Sequence, residues 1–159
     1  IQELVRGWRD DPDTLDMVKY CVRKDYDYEV REVAIKNLAR GWKDNPDTLA
    51  IVKDCSQHDA HEIVRRAAIW ELIHGWKNDP ESFTIIGMLA RNDVSDIVRI
   101  AAIRILVQSW KNRPETLATV MNCTQNDEDW YVRKIAIDVL EQVWKNDPEV
   151  QAYLQGLQK

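Results

Sequence analysis

"GWKDNPDTL", residues 41–49, returns in altered form as "GWRDDPDTL" from residue 7, "GWKNDPESF" from 75, "SWKNRPETL" from 109 and "VWKNDPEVQ" from 143. Trp8, Trp42, Trp76, Trp110 and Trp144 are 34 residues apart each time, and Pro12, Pro46, Pro80, Pro114 and Pro148 follow in the same phase. A constant period of this length, with nothing inserted, marks stacked supersecondary units rather than one closed fold. The chain therefore reads as one repeat domain over residues 1–159. It opens with the tail of a second helix (1–7), continues through repeats 8–41, 42–75, 76–109 and 110–143, and ends in a partial repeat (144–159).

Each unit reads as two helices. Pro at the first helical position forfeits no needed N–H, the Asn or Asp before it can cap, and the Asp or Glu behind it complements the positive helix end. Leu15, Val18 and Cys21, with Leu49, Val52 and Cys55, then recur on one face of the first helix. After a short polar turn the second helix carries Val98, Ala101, Ala102, Ile105 and Leu106 on its face. Gly41 and Gly75 are expected to end it in the left-handed conformation. The tryptophan is expected to cover the end of the core between neighbouring units, with the stem of the following Lys or Arg laid over its edge.

Composition narrows the function. The chain carries 45% hydrophobic and 31% charged residues, which suits a soluble, well-buried fold, and its net charge of −5 argues against nucleic acid as main partner. Cys21, Cys55 and Cys123 form no CxxC pair and read as small core residues in a reducing, cytoplasmic setting. No apolar run reaches the length that spans a bilayer.

The phrases "DYDYEVREVAIKNL", "DAHEIVRRAAIWEL", "DVSDIVRIAAIRIL" and "DEDWYVRKIAIDVL" share Asp, Val-Arg, Ala-Ile and Leu at fixed spacing. The pattern resembles HEAT and HEAT-like repeats over essentially the whole chain. The resemblance implies an all-α, right-handed α-α superhelix (solenoid) of 34-residue hairpins. The tetratricopeptide family shares the period, but its Leu-Gly and Tyr positions behind the Trp are missing. In HEAT-like arrays the Asp and Arg form a ladder, which implies pairing of Asp25, Asp59, Asp93 and Asp127 with Arg31, Arg65, Arg99 and Arg133. An Arg fork shared between neighbouring carboxylates would fix the junction, and if exposed it would contribute only about 0 to 1 kcal/mol. "GWKDNPDTL" combined with "VRRAA" is similar to the HEAT-like arrays at the C-terminal end of cyanobacterial NACHT-family signalling ATPases.

Positions that change freely between repeats are the candidate binding surface. On the second helix they fall three, four and four apart, opposite the core face. Within them Ile63, Arg66, Trp70, His74, Ile97, Ile100, Arg104, Tyr131 and Lys134 combine large apolar groups with cations, as interaction sites do. In HEAT-type stacks this helix lines the concave surface, so a protein or peptide ligand is expected there. The alternative is that Trp70 and the isoleucines tuck into grooves between helices. Trp130, in the turn "NDEDWYVRK", is expected to pack locally. His58 and His61, in "QHDAHE", read as variable turn chemistry rather than a metal site.

The expected function is a non-catalytic, monomeric, cytoplasmic interaction or ligand-sensing scaffold, with no cofactor and no membrane partner, the sensor repeats of a longer NACHT-type ATPase. The chain itself carries no G-x-x-x-x-G-K phosphate loop. The rival class is a HEAT-like enzyme or cofactor handler: phycobilin lyases need a pocket with titratable groups, and a DNA glycosylase needs a basic groove with a central carboxylate. A stand-alone adaptor is the third reading.

Overall fold

The computed structural model describes residues 1–9 and 11–157; the last two residues of the final partial repeat lie outside the described residues. Every regular element among them is an α-helix. The order is α1 Gln2–Trp8, α2 Pro12–Lys24, α3 Tyr28–Gly41, α4 Pro46–His58, α5 Glu62–Trp76, α6 Pro80–Asn92, α7 Asp96–Trp110, α8 Pro114–Asn126, α9 Trp130–Val143 and α10 Pro148–Leu157. Even-numbered helices are the first and odd-numbered the second members of the hairpins. The architecture is thus all-α, built from the regular helical hairpins of a HEAT-type repeat.

The chain divides into two compact units, residues 1–85 and 86–159. In the first, α2 packs on α3, α3 on α5 and α4 on α5; in the second, α8 packs on α9, and α9 on α7 and α10. Val18, Ile35, Leu38, Val52, Ile69 and Leu72 are sealed in the first unit, and Ile103, Leu106, Val120, Val132, Ala136 and Leu140 in the second. Sealing each large aliphatic side chain contributes about 1.5–3 kcal/mol, and this burial drives the assembly of the hairpins.

The starts of the first helices follow the sequence closely. All five prolines are first residues of their helices. Asp11, Asn45, Asp79 and Asp147 accept the N–H two residues on at 2.9–3.1 Å. Arg113 has no such oxygen, and α8 starts without a side-chain cap.

The ends of the second helices do not follow it. No glycine among the described residues has positive φ. Gly41 is the last helical residue of α3 and Gly75 lies inside α5. The helices α3 and α9 close when the N–H of Trp42 or Trp144 donates to the carbonyl of Leu38 or Leu140, at 3.0 and 3.1 Å. In α5 and α7 the helix runs on through the Trp, whose carbonyl accepts the hydroxyl of Ser82 or Thr116 at 2.8 and 2.9 Å. Ser109 and Val143 can therefore stand where glycine stands elsewhere, because no left-handed residue is required. Where α3 stops one residue earlier, the equivalent hydroxyl, Thr48 Oγ1, is buried without a hydrogen-bond partner among the described residues.

Trp42, Trp76, Trp110 and Trp144 are half-buried where one repeat passes to the next, while Trp8 is largely exposed. The Arg9 guanidinium behind Trp8 donates to the Gly41 carbonyl and so serves the C-terminus of α3, the second helix of its own repeat.

Candidate functional site

The Asp of each hairpin turn organises the start of the second helix. The N–H of Asp25, Asp59 and Asp93 closes the preceding helix on Cys21, Cys55 and Leu89. Oδ1 of Asp25, Asp59, Asp93 and Asp127 accepts the N–H two residues on at 2.8–3.0 Å, an Asx-turn. That next residue is itself a cap in three hairpins: Asp27, His61 and Asp129 each accept from the first turn of the helix they precede. These caps are absent from the repeat pattern because Asp, His and Asp share only a short-range acceptor.

The ladder arginine then ties the turn down. Nη1 of Arg31, Arg65, Arg99 and Arg133 donates to the carbonyl of the Asp in its own turn at 2.7–2.9 Å. The rest of the fork reaches forward by 28 residues. Arg31 grips both Asp59 oxygens at 2.9 and 3.0 Å, and Arg99 grips both Asp127 oxygens at 2.8 and 2.9 Å. The expectation of one arginine shared between two carboxylates is therefore corrected. Arg31 and Arg99 each grip the carboxylate of the next turn and take only backbone carbonyl oxygens from their own, those of Asp25 and Tyr26 for Arg31 and that of Asp93 for Arg99. The rung is also not exposed, since the Arg99 and Asp127 side chains are only 4% and 2% accessible. Hydrogen bonds to Asp59 raise the Arg31 guanidinium above its ordinary value, against the opposing effect of burial. Asp25 and Arg133, at the two ends of the series, have no arginine and no carboxylate respectively on this ladder among the described residues; Arg133 holds the Asp127 and Glu128 carbonyls instead.

A second ladder links the first helices and was not read from the sequence. Lys19 Nζ lies 2.7 Å from Asp47, and Lys53 Nζ 2.7 Å from both Asp79 and Glu81. Its signal was the 34-residue recurrence of Lys19 at Lys53, which ends at Gly87. Burial works against the charged form of Asp79, but the Lys53 contact and the Glu81 and Ser82 N–H groups hold its carboxyl below the usual range.

The divergent positions lie on the accessible side of the second helices. In the first unit, Ile63 and Arg66 are half-buried and His74 is exposed, while Trp70 keeps 44% of its surface. The Trp70 and His74 rings stack at 5.2 Å and 23°. His74 Nδ1 lies 2.7 Å from the Trp70 carbonyl; a carbonyl only accepts, so this nitrogen carries the proton. On α3, Lys36 pairs with Glu32 at 2.5 Å, and Arg40 pairs with the buried Glu71 at 2.5 and 3.1 Å.

In the second unit Ile97 and Tyr131 keep 39% and 43% of their surface, Arg104 and Lys134 are exposed, and Ile100 is half-buried. Burial of Val98, Ala102, Ile105 and Leu106 fixes the rotation of α7 and turns these positions outward. None of the nine candidate residues is buried, so none is sealed in a groove between helices.

Three side chains outside this face were expected in the turns. Trp130 was expected to pack locally; it meets the edge of the adjacent Tyr131, at 5.6 Å and 65°, and keeps 66% of its surface. It is the first residue of α9, directly after the Asp129 cap, whose carboxylate accepts the N–H of Tyr131 and Val132. His61 caps α5 through Nδ1, 3.3 Å from the Ile63 N–H, and its ring lies flat on Tyr28 at 3.7 Å and 2°. His58 Nδ1 lies 3.0 Å from Asp54. No group of three or more His, Cys, Asp or Glu able to hold a metal occurs among the described residues.

Over the Arg31–Asp59 rung lies an open groove of about 470 Å³, lined by Arg23, Asp25, Asp54, Cys55 and His58 among others. Burial, with Asp59 and Asp54 adding to it, pushes the Cys55 thiol up to about 12, so the sulfur stays protonated. Burial likewise pushes Cys123 to about 11, and its thiol donates to the Ala90 carbonyl at 3.5 Å. No helix among the described residues is long and apolar enough to cross a membrane.

Comparison with known proteins gives one result. The family model for HEAT repeats matches residues 1–73 and 85–159. No curated protein and no solved structure matches the chain.

Proposed function

The chain belongs to the HEAT-repeat family, and on that premise we propose that it is a non-catalytic scaffold that holds a protein or peptide ligand on the outward face of its second helices. HEAT repeats generally mediate protein binding. The observation that carries the reading is that the divergent positions are accessible in each unit. Trp70 with Arg66 in the first, and Ile97 and Tyr131 with Arg104 and Lys134 in the second, are apolar groups set among cations. Arg66, Arg104 and Lys134 have no ion pair among the described residues, so their charge is available to a ligand. Aromatic residues beside arginine are the side chains that carry most binding energy at protein interfaces.

The finer reading is that these are the sensor repeats of a NACHT-type signalling ATPase working in the cytoplasm. It is supported by the likeness of "GWKDNPDTL" and "VRRAA" to such arrays. A phosphate loop encoded upstream in the same reading frame supports it; a frame without one contradicts it. The scaffold reading is tested by affinity capture on the immobilised chain and on its Trp70→Ala and Ile97→Ala variants. A protein retained by the wild type and lost from either variant, with the melting temperature unchanged, is the expected result. Equal retention on all three would refute the assignment of this face.

A further inference from the structure

We propose that the end of α3 is a two-state hinge: the peptide after Trp42 turns, the helix winds on through Trp42, and the Thr48 hydroxyl donates to the Trp42 carbonyl. Both forms of this step occur elsewhere in the chain. The helices α1, α5 and α7 take in their tryptophan, and in α5 and α7 the Trp carbonyl accepts the hydroxyl six residues on, from Ser82 or Thr116. By contrast, α9 stops before Trp144, which has φ −113° and ψ 30°, and the residue six positions on is Val150, with no hydroxyl to offer. The helix α3 also stops before its tryptophan, with Trp42 at φ −131° and ψ 44°, yet it has the hydroxyl, on Thr48.

The two forms are close in energy because each leaves something for the other. Thr48 is fully buried and its Oγ1 has no hydrogen-bond partner among the described residues, which disfavours the short form. What it lacks is the Trp carbonyl that Ser82 and Thr116 have, and a rotation of about 85° in ψ, from 44° to a helical value of about −42°, brings that carbonyl round. The short form is held by Arg9, whose guanidinium binds the carbonyl of Gly41, directly before Trp42; the equivalent Lys43 makes no hydrogen bond to Gly75 among the described residues. No backbone bond separates the forms. The Trp42 carbonyl accepts the Asn45 N–H at 3.0 Å, and those of Trp76 and Trp110 accept the Asp79 and Arg113 N–H at 3.0 and 2.9 Å. Residues 42–45 join α3 to the hairpin of α4 and α5, and α5 packs on α3. Turning the first peptide of this link changes the angle at which the hairpin leaves α3, which gives the first unit an adjustable joint.

The test is NMR of the whole chain. Relaxation dispersion is expected to show microsecond-to-millisecond exchange at the amides of Trp42 and Lys43, and none at Trp76, Lys77, Trp110 and Lys111. Thr48→Val removes the hydroxyl and keeps the shape of the side chain. It should abolish the exchange and leave the Trp42 Cα shift off its helical value, and with the buried orphan gone the melting temperature should hold or rise. Arg9→Ala, at an exposed side chain, should move the Trp42 Cα shift the opposite way, toward that of Trp76. The proposal is overturned by a Trp42 without exchange, by exchange that survives Thr48→Val, by equal exchange at Trp76 and Trp110, or by a Trp42 shift that Arg9→Ala leaves in place. A fall in melting temperature on Thr48→Val also overturns it, because the hydroxyl would then already be satisfied in the short form.

Discussion

Arg99 and Arg133 occupy the same position in successive repeats but different surroundings. Arg99 joins its own turn to Asp127 of the next one in a pair almost fully shielded from water. Among the described residues Arg133 makes the two carbonyl bonds of its own turn and no carboxylate contact. A buried pair contributes little relative to an apolar replacement of the same shape, but removing one partner strands the other charge. Arg99→Ala should therefore destabilise the chain by about 3–5 kcal/mol, and Arg133→Ala by about 1–2 kcal/mol, the loss of carbonyl bonds to a charged donor. Urea unfolding of the two variants checks this. Equal losses would mean that the rung does not bear on the junction. The sequence displayed the residue types of the ladder but not their pairing, because Asp25 and Asp59 are equally plausible partners for Arg31 on spacing and both carboxylates hold an Asx-turn; only the folded geometry gives Arg31 the Asp59 carboxylate and the Asp25 carbonyl.

The same division between what recurs and what is local holds for the helices. The starts of the first helices could be read from residues 11–14 and their equivalents, since Pro and a preceding Asp or Asn act over three residues whatever surrounds them. The ends could not, since they depend on whether the helix takes in the Trp and whether a Ser or Thr hydroxyl meets its carbonyl, a contact six residues away. Gly87 is a further case, standing inside α6 where Lys19 and Lys53 make rungs elsewhere. A Cβ built there meets nothing within 4 Å and φ is not positive, so the glycine has neither a steric nor a conformational reason. Gly87→Ala should raise stability by up to about 1 kcal/mol, the difference in helix propensity. The midpoint of urea unfolding reports it, and a decrease would reveal a packing need at that position.

Within each compact unit, the repeated positions pack the hairpins on one another and the divergent second-helix positions are not buried. The first half of that division was visible in the period itself, because packing against an identical neighbour restricts a residue in the same way at every step. Which apolar groups stay accessible was less legible: an Ile opposite the core reads the same whether it is exposed, as Ile97 is, or half-buried, as Ile63 is. Nor does a turn sequence say whether a ring such as Trp130 folds back or stands free. Thermal unfolding of the chain carrying Trp70→Ala, Ile97→Ala and Tyr131→Ala together tests the division most directly. Accessible side chains away from the core leave the total loss near 1 kcal/mol, whereas a loss of several kcal/mol, the size of core cavities, would show that these residues hold the fold and contradict their assignment to a ligand.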